Sequence, residues 1–144
     1  MSRFLSRIIF CVCLFFSHCV LYASDTTPTA QQKQIDTRIS EAEEIYKRDF
    51  KHAYVITLEA KSHAVKINYL QGIVASSCLQ SIIESQTNKS IPAIAALTNL
   101  LQSSNGINLK LKQQLLSTLG ICYFYIGKLD SAQFYFTESI SSYS

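Results

Sequence analysis

From Ala30 onward, apolar residues return at every third or fourth position almost to the end of the chain, and no segment alternates apolar with polar residue by residue. That spacing lays an apolar stripe along an α-helix and does not suit a half-buried strand. Ile35, Ile39, Ala42 and the Ile45/Tyr46 pair mark a first helix. Its solvated face carries Glu43 with Lys47 and Glu44 with Arg48, each four residues apart. Ser40 and Glu43 have capping-box spacing, which offers a later alternative start. Asp49 suits the cap of a second helix from about Phe50 to Lys61, and a third and longer helix is predicted from about Ala64 to Ser85. "SQTNKS" then interrupts the pattern, and Ser90 followed by Pro92 opens a fourth helix, since proline is tolerated in a first turn. This helix ends near Gln102, where "SSNG" supplies turn residues. A fifth, from about Asn108 to Ile126, places Leu115, Leu116, Leu119, Cys122, Tyr123 and Ile126 on one face, with Gly127 as its left-handed cap. A sixth starts near Asp130. Six helices with short connections make an all-α chain of three antiparallel hairpins.

The amino terminus follows a different pattern. "MSRFLSR" is basic, "IIFCVCLFF" is apolar, and the run closes at Ala23 before polar, proline-containing residues. These are the parts of a secretory signal peptide, residues 1–23, followed by a linker over 24–29 and a helical domain over 30–144. Ser17 and His18 interrupt the apolar run, which is short for a membrane span of about 20 residues. The expected location is therefore periplasmic or extracellular, with membrane attachment only through an uncleaved leader or through further chain beyond Ser144. Cleavage after Ala23 removes Arg3 and Arg7 from the 13 Lys and Arg, leaving 11 against 10 Asp and Glu, a net charge of +1. So small a charge gives no argument for nucleic acid, which calls for a clustered basic stripe. Cleavage also leaves only Cys78 and Cys122 of the 5 cysteines, too few for a disulfide scaffold; they read as two buried helix thiols, with a single bridge formed in an oxidising compartment as the alternative.

The last two helices carry the most specific pattern. Leu116, Leu119, Gly120 and Tyr123, followed by Ala132 and Phe136, resemble the tetratricopeptide repeat. The resemblance is clearest over Gln113–Ser144 and weaker over Ile45–Leu101. It implies that Gly120 and Ala132 sit where two helices approach closely, with Tyr123 and Phe136 filling the space beside them. Leu116 stands where the family usually has Trp, Ser139 where a small residue such as Ala is usual, and Ser144 where Pro is usual. In the first half-repeat Ala53 aligns with Ala132 and Ala60 with Ser139. Gly72 aligned with Gly120 gives a spacing of 48 residues instead of 34, which predicts an insertion around "ESQTNKS". The expected architecture is a short solenoid of about three hairpins. Its last hairpin lacks a covering helix and leaves Phe134 and Ile140 facing water, which also allows self-association there.

The resemblance implies function through a surface. The family's groove positions fall on Gln114, Ser117, Ile121, Phe124 and Tyr125, and the weaker alignment adds Tyr69, Ile73 and Ser76. Family members that clamp a carboxyl terminus need Lys and Asn at the places held here by Ser117 and Ile121, which argues against that mode. Nothing points to an enzyme or a cofactor. There is no nucleophile elbow, phosphate loop or metal-spaced cysteine pair. His52, Glu59 and His63 share a stripe only if the second helix is long enough, and His52 lies about 10 Å of helix rise from Glu59. Asn88-Lys89-Ser90 is a formal glycosylation triplet. The expected function is that of an exported adaptor or assembly factor binding another protein's peptide or helix. "GKLDSAQFYF" also looks like repeats of bacterial extracytoplasmic sensor regions, which makes the front end of a membrane signalling protein the alternative.

Overall fold

A computed structural model describes residues 28–104 and 106–141; the leader and most of the linker lie outside the described residues. All the regular structure among them is helical: α1 Ala30–Ile45, α2 Phe50–Lys66, α3 Leu70–Gln86, α4 Ser90–Ser103, α5 Leu109–Tyr125 and α6 Leu129–Ser141. Thr29 starts α1 through a capping box, its hydroxyl accepting from the Gln32 amide at 3.2 Å while Gln32 Oε1 accepts from the Thr29 amide at 2.8 Å. The start offered by Ser40 is thereby corrected; Ser40 lies inside the helix. Asp49 caps α2 with its side chain as the sequence suggested, and Asn108 caps α5 in the same way.

The break between α2 and α3 falls later than expected. Asn68, at φ 54°, takes the left-handed conformation, with the Tyr69 amide donating to the Ala64 carbonyl at 2.8 Å and the Asn68 amide to Val65 at 3.1 Å. That pair of bonds closes a Schellman motif. Asn88 (φ 61°) and Gly127 (φ 74°) close the same motif on α3 and α5, through Lys89 to Glu84 at 2.9 Å and Lys128 to Tyr123 at 3.0 Å. Asn68→Val is expected to lower stability in urea titration by about 1–2 kcal/mol, because a β-branched side chain resists positive φ. Asn68→Gly should leave stability near its original value.

The first helices of the hairpins begin at Ala30, Leu70 and Leu109 and the second helices at Phe50, Ser90 and Leu129, so both series advance by 40 and then 39 residues. The hairpins are therefore evenly spaced, with no insertion around "ESQTNKS", and each is longer than a repeat of about 34 residues. In this register Ala53, Ala93 and Ala132 are equivalent and all buried; on the first helices Gly120 matches Ser81, also buried, and then Glu41, which is exposed next to the buried Ala42. Gly72 is not the counterpart of Gly120. A side chain at Gly72 would meet Ile35 at 3.0 Å and Ala64 at 3.1 Å, on the preceding hairpin. At Gly120 it would meet the ring of Phe136 at 2.7 Å, so that ring, and not Ala132, is what the glycine makes room for.

Each helix packs on the next, and α1 also packs on α3 and α3 on α5, while α2, α4 and α6 stand apart from one another. A row of helices that touch forms the inner wall of a curved stack, and a row that does not forms the outer wall. The core lies between the rows in three clusters, the largest joining Val74 and Cys78 of α3, Ala93 and Leu97 of α4, and Leu111, Leu115, Leu119 and Cys122 of α5. Both cysteines are free and buried. Burial pushes the Cys78 thiol up to about 12 and raises that of Cys122 as well. Neither should be alkylated by iodoacetamide at pH 8 until the chain is unfolded, as intact mass would show.

Candidate protein-binding surface

The inner row determines which side chains lie on that face of the stack. On α5, Leu111, Leu115, Leu119 and Cys122 turn into the core. Helical periodicity then brings Gln114, Ser117, Ile121, Phe124 and Tyr125 together on the opposite strip. The first three are half-buried, whereas Phe124 is 60% and Tyr125 47% exposed. Their rings meet edge to face, with centroids 6.5 Å apart and planes at 77°. Ser117 turns its hydroxyl back to the Gln114 carbonyl at 3.0 Å, so it adds no free donor to the strip.

The α3 residues expected beside them lie elsewhere. Tyr69 stands at the amino-terminal cap of α3, and its hydroxyl donates to the Asp36 carboxylate at 3.0 Å. Burial and that carboxylate push the phenol up to about 12. Ile73 lies in a cleft on another side of α3, and Ser76 is fully buried, donating to the Gly72 carbonyl at 2.6 Å. The error came from aligning Gly72 with Gly120. In the 39-residue register, the α3 positions matching Gln114, Ser117, Ile121, Phe124 and Tyr125 are Ala75, Cys78, Ile82, Ser85 and Gln86; Ala75 and Ile82 are half-buried and Gln86 exposed, whereas Cys78 and Ser85 are buried, so α3 continues the strip only in part.

The repeat residues are placed as packing residues. Leu116, Leu119 and Ala132 are buried, and Phe136 is half-buried against Gly120. Tyr123 stacks on Tyr135 of α6, with centroids 5.2 Å apart and planes 9° from parallel. The sequence reading missed Tyr135, although an aromatic on α6 facing an aromatic on α5 was there to be paired.

The cleft holding Ile73 opens toward the outer row, between α2, α3 and α4, with a volume of about 270 Å³. Along its α2 side, Tyr54 donates to Glu84 at 2.8 Å, Gln80 Nε2 donates to Glu84 at 2.8 Å, and Lys61 donates to Gln80 Oε1 at 2.9 Å. Burial lowers the Lys61 ammonium, and Glu84 partly offsets this. The chain of bonds ties α2 to α3 and leaves no reactive group poised over an open space. α2 is long enough to carry both His52 and His63, but Arg38 of α1 holds Glu59 at 2.9 Å. Among the described residues no three His, Cys, Asp or Glu gather as a metal site would require, and no helix is long and apolar enough to cross a membrane.

Fold and surface together define a short helical-hairpin solenoid whose most exposed aromatic pair closes one end of its inner strip. No protein-family model matches the chain, and no curated protein or solved structure matches it either.

Proposed function

We propose that the chain is an exported protein-interaction module of tetratricopeptide type, working as an adaptor or assembly factor that holds a peptide or helix of another protein along its inner face. The observation that carries this reading is the exposed pair Phe124 and Tyr125, set beside Ile121 on the α5 strip. Such rings are stiff apolar anchors that lose little entropy on binding, and aromatic residues dominate the energetics of many interfaces. Export rests on the leader sequence. The tetratricopeptide reading rests on the Gly120–Ala132–Phe136 spacing and on an inner row of touching first helices, against a longer hairpin period than that family's.

The test is capture of partners from an extracytoplasmic extract by the chain from Ser24 onward, compared with a Phe124→Ala, Tyr125→Ala variant. The variant is expected to keep its circular dichroism and melting curve, because both side chains are largely in water, and to lose about tenfold or more in affinity for any partner retained by the original. Equal retention by both proteins would remove the inner face from consideration.

A further inference from the structure

The cleft between α2, α3 and α4 is not imposed by the fold, because the next repeat fills the same place. In the register that advances by 39 residues, Ser77, Ser81 and Glu84 of α3 become Leu116, Gly120 and Tyr123 of α5, and Ala96 of α4 becomes Tyr135 of α6. Lys61 of α2 becomes Leu101 of α4, 40 residues on. There Leu116 is buried, Leu101 packs on the main cluster, the Phe136 ring lies against Gly120, and Tyr123 stacks on Tyr135. In the middle hairpin two hydroxyls, a carboxylate, an ammonium and a single methyl group take those places, and about 270 Å³ stays open.

The polar groups that face this space are not satisfied by the protein itself. Ser77 is 7% and Ser81 3% exposed, both line the cleft, and neither hydroxyl has a hydrogen-bond partner among the described residues. A buried helix serine ordinarily turns back to a carbonyl one turn earlier, as Ser76 does to Gly72 and Ser139 to Phe136. Lys61 is half-buried, and among the described residues its ammonium bonds Gln80 Oε1 and no carboxylate. Tyr54 and Gln80 both donate to Glu84 Oε1, which leaves Oε2 able to accept. Buried polar groups without partners cost stability, and a bound molecule that pairs with them removes that cost.

The two charges decide the ligand. The Gln80 amide bonds Lys61 through its oxygen and Glu84 through its nitrogen, so a cation and an anion are held on either side of one amide without pairing. A phosphate brought to Lys61 would be repelled by Glu84, and a simple cation brought to Glu84 would be repelled by Lys61. A zwitterion laid antiparallel to the pair satisfies both. We infer that the cleft binds a free α-amino acid, its carboxylate on Lys61 and the Ser77 and Ser81 hydroxyls, its ammonium on Glu84, and its side chain beside Ile73 and Leu100. A peptide end would bring only one of the two charges. The volume also lies at the lower edge of ligand pockets, which run from about 300 to 1,000 Å³, and so suits a single residue.

Isothermal titration calorimetry of the chain from Ser24 onward, against the common L-amino acids one at a time, tests this. At least one is expected to bind with a dissociation constant of about 10 μM to 1 mM, as suits so small a ligand at a partly open site. Sodium acetate, ethylammonium chloride and inorganic phosphate should bind at least tenfold more weakly. Lys61→Met, which keeps the stem and removes the charge, and Glu84→Gln should each weaken binding at least tenfold with circular dichroism unchanged. Ala96→Tyr puts into the cleft the ring that α6 carries at the equivalent place and should abolish binding; Ala96 is exposed, so this variant keeps the fold and decides the matter if Lys61→Met does not. The Phe124→Ala, Tyr125→Ala variant should bind as the original does, which separates this site from the inner face. No binding of any amino acid overturns the proposal. Acetate or phosphate bound as tightly as the best amino acid overturns the zwitterion, and undiminished binding by Ala96→Tyr overturns the location.

Discussion

Gly120→Leu is expected to destabilise the chain by about 1–3 kcal/mol, the usual range for overpacking a filled interior. Two effects oppose each other. Leucine is the better helix former by about 0.8–1 kcal/mol, which alone would stabilise α5. Against that, the first added carbon already comes within 2.7 Å of two carbons of the Phe136 ring and 3.0 Å of a third, and leucine adds three carbons beyond it. The ring cannot give way inward, where Ala132 is buried, without opening the α5–α6 hairpin and parting the Tyr123–Tyr135 stack. Overpacking therefore wins. Thermal melting should show a fall of roughly 4 °C or more per kcal/mol. Adding Phe136→Ala should recover part of the loss, a sign that the clash is with that ring; two losses that simply add would show that Gly120 matters for some other reason.

The second large effect is expected at Leu97, fully buried on α4 where α3, α4 and α5 meet. Leu97→Ala should cost about 2–5 kcal/mol, the lost transfer free energy plus the cavity left behind. Its position makes the shape of the transition informative. In a stack where each hairpin touches only its neighbours, stability is a sum of unit and interface contributions, and the middle unit supplies both interfaces. Weakening it should broaden the melt or split it in two, with the α1–α2 end, held by its own Ala42–Ile56–Leu79 cluster, unfolding separately from the α5–α6 end. A single transition merely moved to lower temperature would show that the three hairpins unfold as one unit.

The helices and their number could be read from apolar spacing alone, because apolar residues recur at helical spacing in every one, even in α3, which is buried on most of its surface. Gly127 announced its cap because glycine at a helix end has few other uses, and Asn88 lay inside a visibly polar break. Asn68 gave no such notice. It sits in "KINYLQG", where Ile67, Tyr69 and Leu70 continue the periodicity across the turn, so apolar spacing alone places the end of the second helix and the start of the third too early. The same oversight affected the candidate surface. Taking Gly72 for the small residue of the middle hairpin turns the α3 strip onto Tyr69, Ile73 and Ser76, which serve the core and its edges. Ser81 was the true counterpart, but serine at a close approach looks like any other serine until the 39-residue period is known. The α5 strip follows from the family's groove positions in the last repeat and does not depend on the Gly72 alignment.

The arrangement of the two rows also governs elasticity. Contacts along the inner row act as a hinge line, whereas the outer helices are separated by slack, of which the cleft between α2 and α4 is the visible part. Bending the stack tighter or straighter changes those outer gaps and leaves the inner seam nearly fixed. An outer wall whose helices do not touch one another leaves any change of curvature to be taken up there.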